Sequence, residues 1–297
     1  MFWRYLQLVI YAGSWLIWAV LAWVIYELVL QPWSWWWWVG VMFCVIFVYA
    51  RFVEPALMRV RREKFDLGGD GMLRLVMISD IHLGVFHGQK FLRKILARVR
   101  EESPDLLVIA GDLINDPSVN QLAEMFTPLD GFDVPIYAVT GNHDSKKPGY
   151  HESEAVRAAL RSRGVRVIDN SHDVFEKSDV RLHLYGLSDF IEGQADFTIL
   201  EKMRADERNI IVSHNPDSAY EFSDDVPARL ILSGHTHAGQ IQIPFLYKWL
   251  IPCKNAFVRG WYQVKGRQVY VSSGLGEVIL PLRLGAIPEI VVLELKI

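Results

Sequence analysis

Apolar residues fall along this chain in three patterns. The first is apolar without a period: from Tyr5 to Ala50 the only formally charged residue is Glu27, and no polar face recurs. Leu6–Leu30 exceeds the roughly 20 residues a helix needs to cross a bilayer, and Trp33–Ala50 comes close to that length. Gln31-Pro32 leaves room only for a tight turn between them, so residues 1–54 read as a membrane hairpin with spans at 6–30 and 33–50. The second pattern is a series of short runs: Leu75–Ser79, Leu106–Ala110, Ile136–Thr140, Ile210–Ser213 and Leu230–Ser233. Runs of this length, rich in Val and Ile, are the mark of buried strands. The third is helical: in Lys90–Glu102 the residues Leu92, Ile95, Leu96 and Val99 share one face, and Ser118–Leu129 and Glu152–Arg163 repeat the spacing.

After Val165 the pattern shortens to strand candidates at Arg166–Ile168, Val174–Glu176 and Leu182–Leu187, with Gln268–Ser272 and Glu289–Leu295 closing the chain. An alternating βαβα half followed by a β-rich half predicts an α/β domain of two sheets packed together with helices outside. That domain is expected over 72–297. The intervening 55–71 reads as a basic amphipathic connector, with Leu57, Val60 and Phe65 apolar and arginines between, ending in the flexible Gly68-Gly69-Asp70-Gly71.

Charge refines this picture. Arg4 precedes the first span, and Arg51, Arg59, Arg61, Arg62 and Lys64 follow the second. Two spans put both ends on one side, which the positive-inside rule makes the cytoplasm. The same cluster would attract anionic headgroups, at about 1 kcal/mol per residue. The apolar stretch is too long for a secretory signal and lacks a small-residue cleavage site. Arg4 and Glu27 cancel, so the rest of the chain holds the whole net charge of −3. A mildly acidic domain is not expected to bind nucleic acid. Cys44 lies in a span and Cys253 in the domain, which excludes an intradomain disulfide. Tryptophans 35–38 sit where an aromatic belt anchors a span.

Each of the five strand candidates runs into residues that bind metals. They end in Asp80-Ile81-His82, Gly111-Asp112, Gly141-Asn142-His143-Asp144, His214 and Gly234-His235-Thr236-His237. In an open α/β sheet, ligands gather outside the carboxyl ends of strands. Carboxylate, neutral imidazole and carboxamide oxygen suit borderline divalent cations such as Mn, Fe, Zn or Co. No thiolate occurs in the motifs, which argues against a structural zinc site. Alternate residues face one side of a strand, so Asp80 and His82 can reach one ion, and His235 and His237 have the same spacing. Two neighbouring ions need a bridging carboxylate, and a water held between them becomes a nucleophile near neutral pH. Asp112, on its own strand end after a permissive glycine, is the natural bridge.

The five blocks, all present and in order, closely resemble those of the calcineurin-like metallophosphoesterases. The resemblance implies a four-layer α/β sandwich of two mixed sheets flanked by helices, here preceded by the transmembrane hairpin. It also implies two divalent metal ions, manganese first, with iron or zinc as alternatives. One ion would take Asp80, His82, Asp112 and His237, the other Asp112, Asn142, His214 and His235. His143 would lie beside the scissile phosphate to stabilise charge or protonate the leaving oxygen, oriented by Asp144. The implied reaction is hydrolysis of a phosphodiester or pyrophosphate bond by metal-activated hydroxide.

A second resemblance covers the whole chain. The hairpin, Arg51-x-x-Glu54-Pro55, Gly239-Gln240, Pro281-x-Arg283 and Pro288-Glu289-Ile290 look like a bacterial branch of membrane-associated phosphodiesterases. That branch includes the chlamydial-type UDP-2,3-diacylglucosamine pyrophosphatases of lipid A synthesis. Ala238 stands where the branch often has glycine. The implication is a lipid-linked substrate met at the cytoplasmic face of a bacterial inner membrane. Arg283 is then a candidate phosphate clamp, because guanidinium binds phosphate bidentately. His87 and His151 follow motif blocks and are candidate cleft residues. Tyr247 and Trp249, with Leu250 and Ile251, are candidates for an apolar lip. Two other readings stand beside this one: a general or cyclic-nucleotide phosphodiesterase held at the membrane, and a non-catalytic receptor that binds phospholipid. The complete ligand set and the intact His143-Asp144 pair disfavour the receptor.

Overall fold

The computed structural model describes residues 2–117, 119–145, 152–245 and 247–297. Two N-terminal helical stretches, Trp3–Leu30 and Trp35–Ala56, are long and apolar enough to cross a membrane, with mean hydropathies of 2.1 and 1.7. They pack on each other through Ile17, Val24 and Cys44. Gly40 admits the Val24 side chain at their contact. Most of their remaining apolar surface, including Trp15, Trp23 and Trp36, is exposed. A helix with an apolar exterior is what lipid favours, because its backbone polar groups are satisfied within it.

The domain holds two six-stranded mixed sheets. The first runs in the order Arg59–Asp66, Glu289–Lys296, Met72–Ile78, Leu106–Ala110, Ile136–Val139, Arg166–Val167. The second runs Gly260–Val264, Arg267–Val271, Leu230–Ser233, Asn209–Ser213, Val180–Leu187, Ser171–Lys177. The strands that precede the metal-ligand motifs are parallel to one another within each sheet. They read as unbroken apolar runs because both faces are covered. Leu75 and Met77 point between the sheets, where they join Val108, Leu184, Ile210 and Leu230. Val76 and Ile78 point the other way, onto Leu92, Ile95, Leu96 and Val99 of the Gln89–Glu101 helix. This is the two-residue alternation of a strand buried on both sides.

Helices Gln89–Glu101, Val119–Met125 and Glu152–Arg161 cover the outer face of the first sheet. The outer face of the second is covered by shorter helical elements. Among the described residues, short 3-10 turns at Phe197–Lys202 and Pro216–Tyr220 supply Ile199, Leu200 and Ala219 to that layer. Asp196 and Asn215 cap these turns through their side chains, which favours short turns over continued helix.

The segment read as a connector belongs to the sheet. Arg59–Asp66 pairs in parallel with Glu289–Lys296 over its whole length, so the domain begins before residue 72. Phe65 stacks on Trp261 of the other sheet with ring centroids 5.7 Å apart. Glu63 accepts a hydrogen bond from the Trp261 indole at 3.1 Å. The arginines of the expected amphipathic connector are the charged face of an edge strand, with Arg62 paired to Glu102 at 2.7 Å. Charge on an edge also guards it against pairing with other chains. The Gly68–Gly71 break is a turn inside the domain, and Gly71 and Ile297 exchange backbone hydrogen bonds of 2.7 and 2.8 Å.

Leu75 is fully buried between the sheets. Leu75→Ala should therefore lower stability by about 2–5 kcal/mol. In detergent this should appear as a lower denaturation midpoint with an unchanged slope.

Candidate metal centre

Strand ends from both sheets converge at one edge of the sandwich. Immediately beyond them the backbone enters the left-handed region, at Asp80 (φ 50°), His82 (50°), Asp112 (53°), His235 (74°) and His237 (49°). Such conformations cost about 1–3 kcal/mol each outside glycine and collect at functional sites. Two of the motif glycines have a steric role. A side chain at Gly141 would strike the Asp112 carboxylate, and one at Gly234 would strike the Asp80 carboxylate. Ala238, in place of the expected glycine, is buried at φ 52° and carries the strain that glycine would avoid.

The side chains gather in two groups that share Asp112. Asp80, His82, Asp112 and His237 form one, and Asp112, His214 and His235 the other. Within each group the ligand atoms lie within 4.8 Å of one another. All of these residues are buried. Three rings are fixed from behind by backbone carbonyls: His82 Nδ1 by Ile114 at 3.4 Å, His214 Nδ1 by Ala110 at 2.8 Å, and His235 Nε2 by Pro252 at 2.8 Å. A carbonyl only accepts, so those nitrogens carry hydrogen and the other nitrogen of each ring faces inward, as in metal-ligating histidines.

The residues fit a pair of divalent cations. His214 Nε2 lies 3.1 Å from Asp112 Oδ2, yet their orientation does not make a hydrogen bond. Asn142 Oδ1 is likewise buried without a hydrogen-bond partner among the described residues. His82 Nε2 and His237 Nε2 approach to 2.9 Å. Carboxylate, imidazole and carboxamide donors crowded at these distances match the preferences of Mn, Fe or Zn.

Without a cation the cluster holds its own protons. Burial opposes a charge on His214, but Asp112 and Asp80 outweigh it and raise its pKa to about 10. Burial, with the Asp112 charge, pushes Asp80 up to about 6 against the pull of His214. Asp112 is held well below the carboxylate range, because His214 and His143 overcome its burial. Burial and the charge of His214 bring His235 down to about 4.

Around this core the other expected residues take varied positions. His143 stands edge-on to His82, with ring centroids 4.8 Å apart, and lines a cavity of about 520 Å³ together with Asp112, Asn142, His235 and His237. Asp144 was expected to orient His143. Its carboxylate instead joins the loops, accepting from Leu113 N (2.9 Å), Ile114 N (3.0 Å) and Gly141 N (2.9 Å). Burial and the Asp112 charge raise its pKa to about 7, while those amides pull it down.

Arg283 is not a surface clamp. It is fully buried, with its guanidinium on the carbonyls of Ser273, Gly276 and Ala286. His87 is paired with Glu277 and stacks on Phe91 at 3.8 Å. Tyr247 sits in the short Tyr247–Leu250 helix and packs near Gly239. Trp249 lies in the same helix with its side chain outside the described residues, as His151 is altogether.

Among the described residues, the apolar part of the cavity lining comes from Ile191, Ile241, Pro252, Val278, Ile279 and Leu280. The run Val278-Ile279-Leu280, apolar but outside any strand, was its sequence signal. Asp189 was also missed. It follows the Val180–Leu187 strand in the same way that the other acidic residues follow theirs. Its carboxylate is buried, with Oδ1 lacking a partner among the described residues, and burial raises its pKa.

The model of the calcineurin-like phosphoesterase family matches residues 73–239, more than half the chain. The chain belongs to this family. Members are phosphoric ester hydrolases, so this calcineurin-like phosphoesterase is an enzyme. It is 32% identical to the uncharacterized metallophosphoesterase YkuE of Bacillus subtilis, over 84% of this chain and 89% of that one. It is 29% identical to the phosphodiesterase YaeI of Escherichia coli, over 84% and 92%. A transmembrane protein with a metallophosphoesterase domain from Danio rerio is 34% identical over 75% of this chain and 53% of its own length.

A cation held by His214 would have to displace its proton. Apparent Mn(II) affinity, measured by calorimetry, should therefore rise about tenfold per pH unit between pH 7 and 9. Below about pH 6, where Asp80 also holds a proton, the dependence should steepen.

Proposed function

We propose that this phosphoesterase is a membrane-anchored, two-ion enzyme that cleaves a phosphodiester or pyrophosphate bond in a lipid-linked substrate of the UDP-2,3-diacylglucosamine type. The observation that carries this reading is the cavity. It is lined both by members of the ligand cluster with His143 and by the apolar side chains of Ile191, Val278, Ile279 and Leu280. A phosphate with acyl chains attached has those two needs side by side. The apolar lining also adjoins the hairpin, because the loop bearing Val278–Leu280 continues to Arg283, whose amide donates to Ala50 O at 2.9 Å. Ile243, Ile279 and Phe245 are 46%, 59% and 92% exposed, an apolar rim suited to a lipid surface.

Asp80, His82, Asp112 and His237 would hold one ion, and Asp112, Asn142, His214 and His235 the other, manganese being the first candidate. Two bound ions would neutralise phosphoryl oxygens and lower the pKa of water. His143 at the cavity mouth would steady developing charge or give a proton to the leaving oxygen. Asp144 would hold the Asp112 and Asn142 loops in register from behind. The basic residues flanking the hairpin favour the cytoplasmic face of a bacterial inner membrane.

The test is Mn-dependent hydrolysis of UDP-2,3-diacylglucosamine in detergent micelles, with bis-p-nitrophenyl phosphate alongside. Turnover of the lipid nucleotide, with Ile279→Ser raising its KM and leaving the artificial diester unaffected, is the expected result. Hydrolysis of the artificial diester alone would reject the lipid-linked substrate. Asp112→Ala should abolish both reactions. His143→Ala should keep its metal and lose about 10²–10⁴-fold in rate, the usual scale for a general acid; full activity in that variant would remove His143 from the mechanism.

A further inference from the structure

The foot of the second membrane helix is built into the domain in an unusual way. The helix ends in a π turn over Tyr49–Val53, closed by the Glu54 amide on Tyr49 O. The next bond of that series would run from residue 55 to Ala50 O, and Pro55 has no N–H to make it. Ala50 O is thereby open to a donor from elsewhere, and Arg283 N supplies it at 2.9 Å. π turns inside helices occur frequently at functional sites.

Glu54 makes the second attachment. Its carboxylate is 1% exposed and accepts from Gly285 N at 3.0 Å and Ala286 N at 2.6 Å. Two backbone amides converge on this one side chain. Arg51-x-x-Glu54-Pro55 and Pro281-x-Arg283 are thus two halves of one joint.

The joint bears on the metal centre through Arg283. The Arg283 backbone is held to Ala50, and its buried guanidinium is gripped by the carbonyls of Ser273 (2.9 Å), Ala286 (2.8 Å) and Gly276 (2.5 Å). What remains of it reaches inward, with Nη2 3.3 Å from His237 Nδ1. His237 is the one candidate imidazole ligand whose second nitrogen faces a side chain in place of a backbone carbonyl. Its orientation therefore depends on a loop that the membrane helix secures. The first membrane helix docks nearby as well. Asn115 Nδ2 donates to Gln7 Oε1 at 3.0 Å, and Tyr11 stacks on Phe86 at 5.7 Å.

We infer that Glu54 is a positioning residue of the metal centre: the hairpin foot, through Glu54 and Ala50 O, sets the 283–286 loop so that the Arg283 guanidinium packs beside His237 and fixes where that ring stands in the cluster. The hairpin then acts as part of the catalytic framework as well as an anchor. This rests on the two-ion reading above and is independent of the substrate.

The experiment is Mn(II) titration of the full chain in detergent by calorimetry, with metal content after dialysis and bis-p-nitrophenyl phosphate kinetics. The wild-type chain is titrated first; binding of fewer than two ions would overturn the two-ion reading and this inference with it. With two ions established, Glu54→Ala should weaken one ion about 10–100-fold, the usual effect of removing a residue behind a ligand. The other ion should be unaffected. The kcat should fall at low Mn and recover at high Mn, with KM constant. Glu54→Gln keeps an acceptor for one of the two amides and should lie between. Both ions bound by Glu54→Ala as in the wild type would overturn the inference, and so would equal loss of both with a lower melting temperature. If the alanine variant does not fold, Glu54→Gln decides: selective weakening of one ion supports the inference, and unchanged affinities reject it.

Discussion

Asp80 and Asp112 are within 4.0 and 3.1 Å of His214 Nε2, and scarcely any water reaches the three of them. Two carboxylates and four imidazoles in a dry crevice are costly to keep unless positive charge joins them. Within the protein, Asp112 and Asp80 draw a proton onto His214 and raise its pKa to about 10 against its burial. A divalent ion would take the place of that proton and satisfy more groups at once. The same electrostatic demand that makes the cluster unfavourable alone gives it affinity for metal, and it explains the need for support behind each ligand.

That support comes from the whole sandwich. Five strands from two sheets deliver ligands to one edge, and each departs its strand through a turn that only a rigid frame sustains. Five of the candidate ligands have positive φ, strain that the apolar layers between and outside the sheets offset. Backbone carbonyls fix three of the rings, Asp144 joins two of the loops, and Arg283 reaches the remaining ring from the side nearest the hairpin. Val278, Ile279 and Leu280 of the cavity lining belong to the same loop, so the hairpin contacts, loop geometry and the shape of the site are linked through it.

The strands ahead of the five motifs were legible almost to the residue, since burial on both faces leaves an unbroken apolar run. The clustering of the candidate ligands was legible because each block follows such a run. Less could be seen where one residue type serves two environments. Arg59–Lys64 has the composition of a linker, and only its pairing with Glu289–Lys296 reveals an edge strand. Arg283 has the chemistry of a phosphate clamp, and only its burial among carbonyls shows that it faces inward. Asp144 sits in a motif that suggests a partner for His143, but backbone amides from two loops occupy it, a contact between segments distant in sequence. Asp189 shows the same strand-then-acid pattern, but the sequence sets no histidine or glycine directly beside it.

The claim that everything else rests on is that Asp112 is shared by two cations. Electron paramagnetic resonance of the Mn(II)-loaded chain tests it directly, because two manganese ions bridged by one carboxylate couple magnetically. The account predicts two ions per chain with the spectrum of an exchange-coupled pair, converted to that of isolated ions, or lost, in Asp112→Ala. A single ion, or two that show no coupling in the wild-type chain, would contradict it.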